Sequence, residues 1–160
     1  MTNQHISPFM QIRVRVLAAL LILLFSAGLA AATSEFNRLD IVTRTGTHSF
    51  FVELALTDQD RATGLMHREK MDENAGMLFR FDSVQPVLMW MKNTLLPLDM
   101  IFIRPDGTVA DIHYNAVPHS EQIIRSSEPV LYVLEVNAGV AGKIDLRRGD
   151  QIIHPIIGDE

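Results

Sequence analysis

Met100-Ile101-Phe102-Ile103-Arg104-Pro105-Asp106-Gly107-Thr108-Val109-Ala110-Asp111-Ile112-His113-Tyr114 is the stretch that decides the fold. Two β-prone runs, 100–104 and 108–114, flank Pro105-Asp106-Gly107. Proline pre-sets the φ of the first turn position and glycine takes a positive φ, so the stretch predicts an antiparallel hairpin. Outward from it the same punctuation recurs. Residues 39–43 and 49–54 are β-rich runs around Thr45-Gly46, a second hairpin, and 76–81 and 87–91 read as strands. Residues 130–136 form another, ended by Asn137-Ala138-Gly139, and 151–154 a last one. One helix is predicted: Thr57 is its N-cap, Asp58 and Asp60 place negative charge in its first turn, and Gly64 ends it. His67-Arg68-Glu69-Lys70 reads as a charged loop. Seven to eight short strands with one short helix predict a mainly β, sandwich or barrel-like domain. No repeat, low-complexity tract or linker divides it.

The chain has 160 residues, 48% of them hydrophobic, enough for one domain with a real core. The N-terminal segment stands apart. Arg13 and Arg15 supply a positive start, residues 16–29 are almost wholly apolar, and Ala30-Ala31-Ala32 offers the small-x-small pattern of a cleavage site. The apolar run is shorter than the roughly 20 residues that span a bilayer comfortably. Residues 1–32 are therefore read as a signal peptide cleaved before Thr33, with an uncleaved anchor as the rival, and residues 33–160 as a single β-rich domain. After cleavage twelve Lys/Arg face nineteen Asp/Glu, a formal charge of −7. That balance, with no Lys/Arg cluster beyond Arg147-Arg148, excludes an ordinary nucleic-acid binder. The absence of cysteine excludes disulfides, thiolate catalysis, thiolate metal sites and a lipoprotein anchor. The expected location is periplasmic or secreted, with no membrane association after cleavage.

Six ordered blocks carry a resemblance: Gly64-Leu65-Met66-x-Arg68, Gly76-Met77-Leu78-Phe79, Trp90-Met91-Lys92-Asn93-Thr94, Pro97-Leu98-Asp99, Asp106-Gly107 and Leu134-Glu135-Val136-Asn137-Ala138-Gly139. Taken together, over about residues 39–153, they resemble the domain of unknown function family 192, a group of small, often exported proteins. The resemblance implies a mainly β, sandwich-like domain of this size. It implies no activity, because the family takes its name from the lack of one.

The candidate site residues are Arg68, Trp90, Lys92, Asn93, Asp99 and Glu135. Trp90 to Asp99 places a lysine, an asparagine and an aspartate inside an otherwise apolar stretch, and buried charge is costly unless paired. On a strand through 87–91, Trp90 and Lys92 share one face and Met89 and Met91 the other. Lys92 is expected either to pair with Asp99 or Glu135 while Asn93 ties down loop backbone, a network serving the fold, or to contact a ligand. Glu135 lies among aliphatic neighbours, where desolvation raises its pKa unless a cation is near. Lys92, Arg61 and Arg68 are the cations available to it. Arg61 reads either as such a partner or as part of a solvated helix face. Arg68, beside the Gly64-Leu65-Met66 block, is expected to point at a site. With Lys92 and Trp90 it would favour a small anionic or sugar-like ligand.

Other chemistries find less support. Met66, Met71, Met77, Met89, Met91 and Met100 with five scattered histidines could hold Cu(I). No paired-histidine or acidic-loop motif accompanies them, so no metal is expected. There is no nucleophile elbow, P-loop or dinucleotide fingerprint, so no cofactor is expected. Ser120 with His119 and Glu121 is too local for a triad. The expected role is noncatalytic binding of an unknown small molecule or an envelope protein. The alternatives are an envelope enzyme using Asp99 or Glu135 as general acid or base near Lys92, and a structural or accessory factor without a ligand.

Overall fold

A computed structural model describes residues 37–158. The expected signal peptide and its cleavage site lie outside the described residues. Among these, nine strands and two short helices follow in the order β1 (Arg38–Thr43), β2 (Gly46–Ala55), α1 (Asp58–Thr63), β3 (Ala75–Gln85), β4 (Leu88–Met89), β5 (Leu98–Ile103), β6 (Val109–Ala116), β7 (Ile124–Arg125), β8 (Val130–Asn137), α2 (Val140–Lys143) and β9 (Gln151–Ile153). Seven strands form one sheet in the order β6-β5-β8-β3-β2-β1-β9, and β4 pairs with β7 in a small second sheet.

The large sheet curls until its outer strands meet. Thr108, just ahead of β6, bridges to Gln151 on β9. Val109 N–H donates to Asp150 O at 2.9 Å and Ile152 N–H to Gly107 O at 2.9 Å. The 105–107 turn is therefore a closure point as well as a hairpin. Gly107 has φ +84°, and a Cβ there would lie 2.5 Å from the Ile152 carbonyl oxygen. The barrel-like expectation is met in this form.

Both predicted hairpins form, with β1 antiparallel to β2 and β5 to β6. The predicted helix is α1, closed by a full capping box in which Thr57 and Asp60 exchange hydrogen bonds. It serves as the crossover that the one parallel pair, β2 with β3, requires.

Three local expectations are corrected. The single helix becomes two, because residues 140–143 make one further turn. The strand through 87–91 shrinks to Leu88–Met89. Beyond it the Met91 N–H is taken by Ser120 O at 2.9 Å and the chain turns through Asn93, at φ 57°. The third is β7, an element the sequence did not predict, which has only two residues and exists through its pairing with β4.

Strands β5 and β8 are buried along nearly their whole length, so their alternation is hidden. One face packs Ile41, Val52, Leu78, Ile101 and Leu134 with α2. The other packs Met77, Phe79, Met100, Phe102 and Val133 under Leu65, Val87 and Met91 from the long connections. Each such side chain contributes about 1.5–3 kcal/mol by leaving water. The second face positions the site.

Candidate functional site

Register places a row of side chains across this second face. Glu53 of β2 stands beside Met77 of β3, Met77 beside Glu135 of β8, and Glu135 beside Met100 of β5. Paired residues in a sheet share a face, so Glu135 lies between two buried thioethers. It is 4% exposed. No hydrogen bond or ion pair to it exists among the described residues, and burial alone pushes its carboxyl up to about 8. Gly76 allows this close fit of β3 to β8: a Cβ there would come 2.6 Å from the Glu135 carbonyl oxygen.

Glu135 opens onto a cavity of about 270 Å³. Its walls are Leu65, Met66, Phe79, Phe81, Leu88 and Met89, and Trp90, Thr94 and the 61–64 segment complete it. Trp90 is 45% exposed, so the indole forms part of the rim. Lys92 Nζ lies 5.3 Å from the Trp90 ring centroid, a cation–π contact. The two side chains meet, as a shared strand face predicted, although the backbone there is a turn.

Hydrogen bonds hold the rim against backbone strain. His67, Asn93 and His119 have φ of 63°, 57° and 61°, the left-handed region that costs non-glycine residues energy. His67 N–H donates to Asn93 O at 2.9 Å, and His119 N–H to Thr94 O at 3.1 Å. Loops 64–68 and 117–120 are thus both tied to the 91–94 turn. The Asn93 side chain reaches Met66 Sδ at 3.9 Å.

The two arginines are committed elsewhere. Arg61 donates to Leu56 O at 2.7 Å and Arg80 O at 2.8 Å, pairs with Asp58 and Asp82, and lies over Phe81. It braces α1 against β3 and is only 11% exposed, so the solvated-face reading is corrected. Arg68 forks onto Glu53 at 2.5 and 2.7 Å. That hydrogen bond holds the Glu53 carboxyl below its ordinary range and the guanidinium above its own. Neither arginine pairs with Glu135, and Lys92 forms no ion pair with Glu135 or Asp99.

Asp99 serves the fold. Fully buried, its carboxylate accepts from Asn115 N–H at 2.9 Å and Ala141 N–H at 3.0 Å. The first donor lies at a bulge in the β5–β6 ladder and the second at the start of α2, whose own N-cap is Gly139 without a capping side chain. Of the six sequence candidates the structure therefore brings Glu135 and Trp90 to the cavity with Lys92 on the indole, and places Arg68, Asn93 and Asp99 outside its lining. Phe79, Met66 and Thr94 line it but read as ordinary core and loop in the sequence. A broader depression of about 750 Å³ runs along 47–50 and 137–144. None of the buried polar residues lines it, which makes the smaller cavity the better site. No cluster of histidine and carboxylate side chains suited to a metal occurs among the described residues.

Known proteins agree with this architecture. A crystallographic structure from Sinorhizobium meliloti 1021, provisionally described as a transcription regulator, shares 53% sequence identity at a TM-score of 0.71, covering 72% of this chain and 91% of its own. A protein of unknown function from Novosphingobium aromaticivorans DSM 12444 shares 36% identity at a TM-score of 0.71, covering 72% and 83%. No match was found among curated proteins. The family model of DUF192, described as "Uncharacterized ACR", matches residues 41–154, and the chain belongs to that family, the domain of unknown function family 192.

Proposed function

We propose that this protein is an exported cell-envelope binding protein whose cavity over Glu135 takes a small ligand against Trp90. The observation that carries the proposal is a buried carboxyl, without a partner among the described residues, opening onto a cavity with an aromatic rim. Buried polar groups in folded proteins are almost always satisfied, and a ligand would satisfy this one. The volume is near the lower end of the roughly 300–1,000 Å³ usual for small-molecule sites. A ligand that offers Glu135 a hydrogen-bond donor and Trp90 a ring, sugar-like or cationic, suits the lining better than a simple anion, since Arg68 is held by Glu53. An acid/base role, the alternative use of the site, falls to Glu135 alone, because both oxygens of Asp99 hold backbone donors. A nucleic-acid role, which the description of the S. meliloti protein would bring, finds no support in a chain with nineteen acidic and fourteen basic residues.

A thermal-shift screen of the protein against envelope sugars and metabolites tests the binding proposal, with Trp90→Ala and Lys92→Ala alongside. Native-state binding raises the midpoint by mass action. A shift that weakens in folded Trp90→Ala supports the proposal, and shifts unaffected by both variants would place the ligand elsewhere. Export is tested by mass spectrometry of the protein recovered from cells: an N-terminus at Thr33 supports it, and a retained Met1 contradicts cleavage.

A further inference from the structure

We infer that the ligand is an organic amine, its ammonium meeting the Glu135 carboxylate while its apolar body fills the space between Phe79, Phe81, Met66 and Trp90. The inference rests on the binding proposal above and names the ligand class.

Among the described residues, Glu135 is the buried polar residue whose side chain makes no hydrogen bond within the protein. Thr43, Thr94, Asp99, Ser126 and His154 all hold hydrogen bonds. A carboxyl left without one costs stability, and this one faces the cavity. The protein also withholds its own cations. Arg61 is saturated by carbonyls and two aspartates, Arg68 by Glu53, and Lys92 lies over Trp90. Among the described residues no protein cation pairs with this acid, so a counter-charge for its ionised form would come from outside.

The walls suit a cation. Aromatic faces attract positive charge and thioethers are polarisable. Two of the lining rings, Phe81 and Trp90, already carry a protein cation. An uncharged hydroxyl would make one ordinary hydrogen bond to Glu135, whereas an ammonium makes a charge-assisted one, about twice as strong.

The charged groups around Glu135 come from several elements. Strands β3 and β5 present Met77, Phe79 and Met100, none of them ionisable. Helix α1 presents Arg61, already neutralised, and the 90–94 turn carries Lys92. Further along the row are Glu53, paired with Arg68, and His113 beside Met100. Lys92 has no acidic partner among the described residues, so an amine with an acid at its far end gains a contact that a plain amine lacks.

On binding, the Glu135 proton passes to bulk buffer and an ammonium–carboxylate pair remains. No other bond forms or breaks.

The test titrates the full chain with benzylamine, benzyl alcohol, benzoate and para-aminomethylbenzoate. The readouts are fluorescence of Trp90, the only tryptophan, and calorimetry in two buffers of different ionisation enthalpy. Benzylamine is expected to bind at least about tenfold more tightly than benzyl alcohol and to release a proton near neutral pH. Glu135→Gln is expected to abolish that preference while keeping the alcohol response, which also reports that the variant is folded. Tighter binding of para-aminomethylbenzoate, lost in Lys92→Ala, identifies an amine bearing an acid as the source; equal binding identifies a plain amine. Benzyl alcohol binding as tightly as the amine, without proton release, would overturn the inference and leave the cavity proposal standing. No response of Trp90 to any of the four would overturn both.

Discussion

Asp99 on β5 and Glu135 on β8 sit on directly paired strands, 0% and 4% exposed, and face opposite sides of one sheet. Around Asp99 the backbone is irregular. A bulge frees the Asn115 N–H, an uncapped helix start frees that of Ala141, and the carboxylate takes both. Around Glu135 the ladder is regular on both sides, with Met77 and Met100 as neighbours, and no spare donor is present. A buried carboxylate belongs to the fold where the backbone offers unmatched N–H groups. Where the backbone offers none and a cavity opens above it, the same group is available to a ligand.

The largest expected effect breaks the Asp99 side of this contrast. Asp99→Ala strands two buried N–H groups and should cost about 4 kcal/mol in urea or guanidinium unfolding. Asp99→Asn, which retains one acceptor, should recover part of that loss. A loss below about 1 kcal/mol for the alanine variant would remove the structural role.

The Glu135 side shows itself in pH. Its folded pKa, about 8, stands above the usual 4.5, so the native state holds the extra proton between those values. The Glu135 contribution to stability is complete below about 4.5 and is lost as pH rises toward 8. Glu135→Gln should remove this decline and be more stable than the parent at pH 9 by on the order of 3 kcal/mol. Asp40, Glu53 and Asp106, lowered by hydrogen bonds from Ser49, from Arg68 and from the Thr108 backbone, work in the opposite sense. Their contribution is present above the unfolded values and is lost as pH falls through the folded ones. The acid limb of the stability curve should therefore be unchanged in Glu135→Gln. A parallel shift of both limbs would show that Glu135 is not the titrating group.

A smaller effect sharpens the packing around the site. Gly76→Ala forces β3 away from the Glu135 backbone and should cost about 2 kcal/mol, with the Trp90 emission altered as the cavity shifts. The smallest belongs to Arg68. Its pair with Glu53 is 35% and 59% exposed, so Arg68→Ala should cost under about 1 kcal/mol and leave ligand responses intact. Loss of those responses would return Arg68 to the site.

Much of the fold was legible because its signals are local. Pro105-Asp106-Gly107, Thr45-Gly46 and the Thr57–Asp60 cap each declare a turn or helix start within a few residues. The short elements were not. Strand β7 and the shortened β4 depend on each other across the chain, and α2 relies on Asp99 from a distant strand. The site was legible in part. Glu135 and the Trp90–Lys92 pair are anomalous in apolar sequence and could be singled out, but their partners depend on register. Arg68 read as a ligand contact because nothing local reveals that parallel pairing of β2 with β3 brings Glu53 within its reach. Phe79 and Met66 stand in the blocks that carry the family resemblance, but nothing in them points to a cavity wall, since a cavity wall and a core have the same composition.

The most direct test is a ¹³C NMR titration of the side-chain carboxyls, assigned with Glu135→Gln. The account predicts that Glu135 titrates near 8 in the free protein. A Glu135 midpoint at or below the ordinary glutamate value of about 4.3 would mean that solvent or a protein cation already satisfies the group, and would contradict the account.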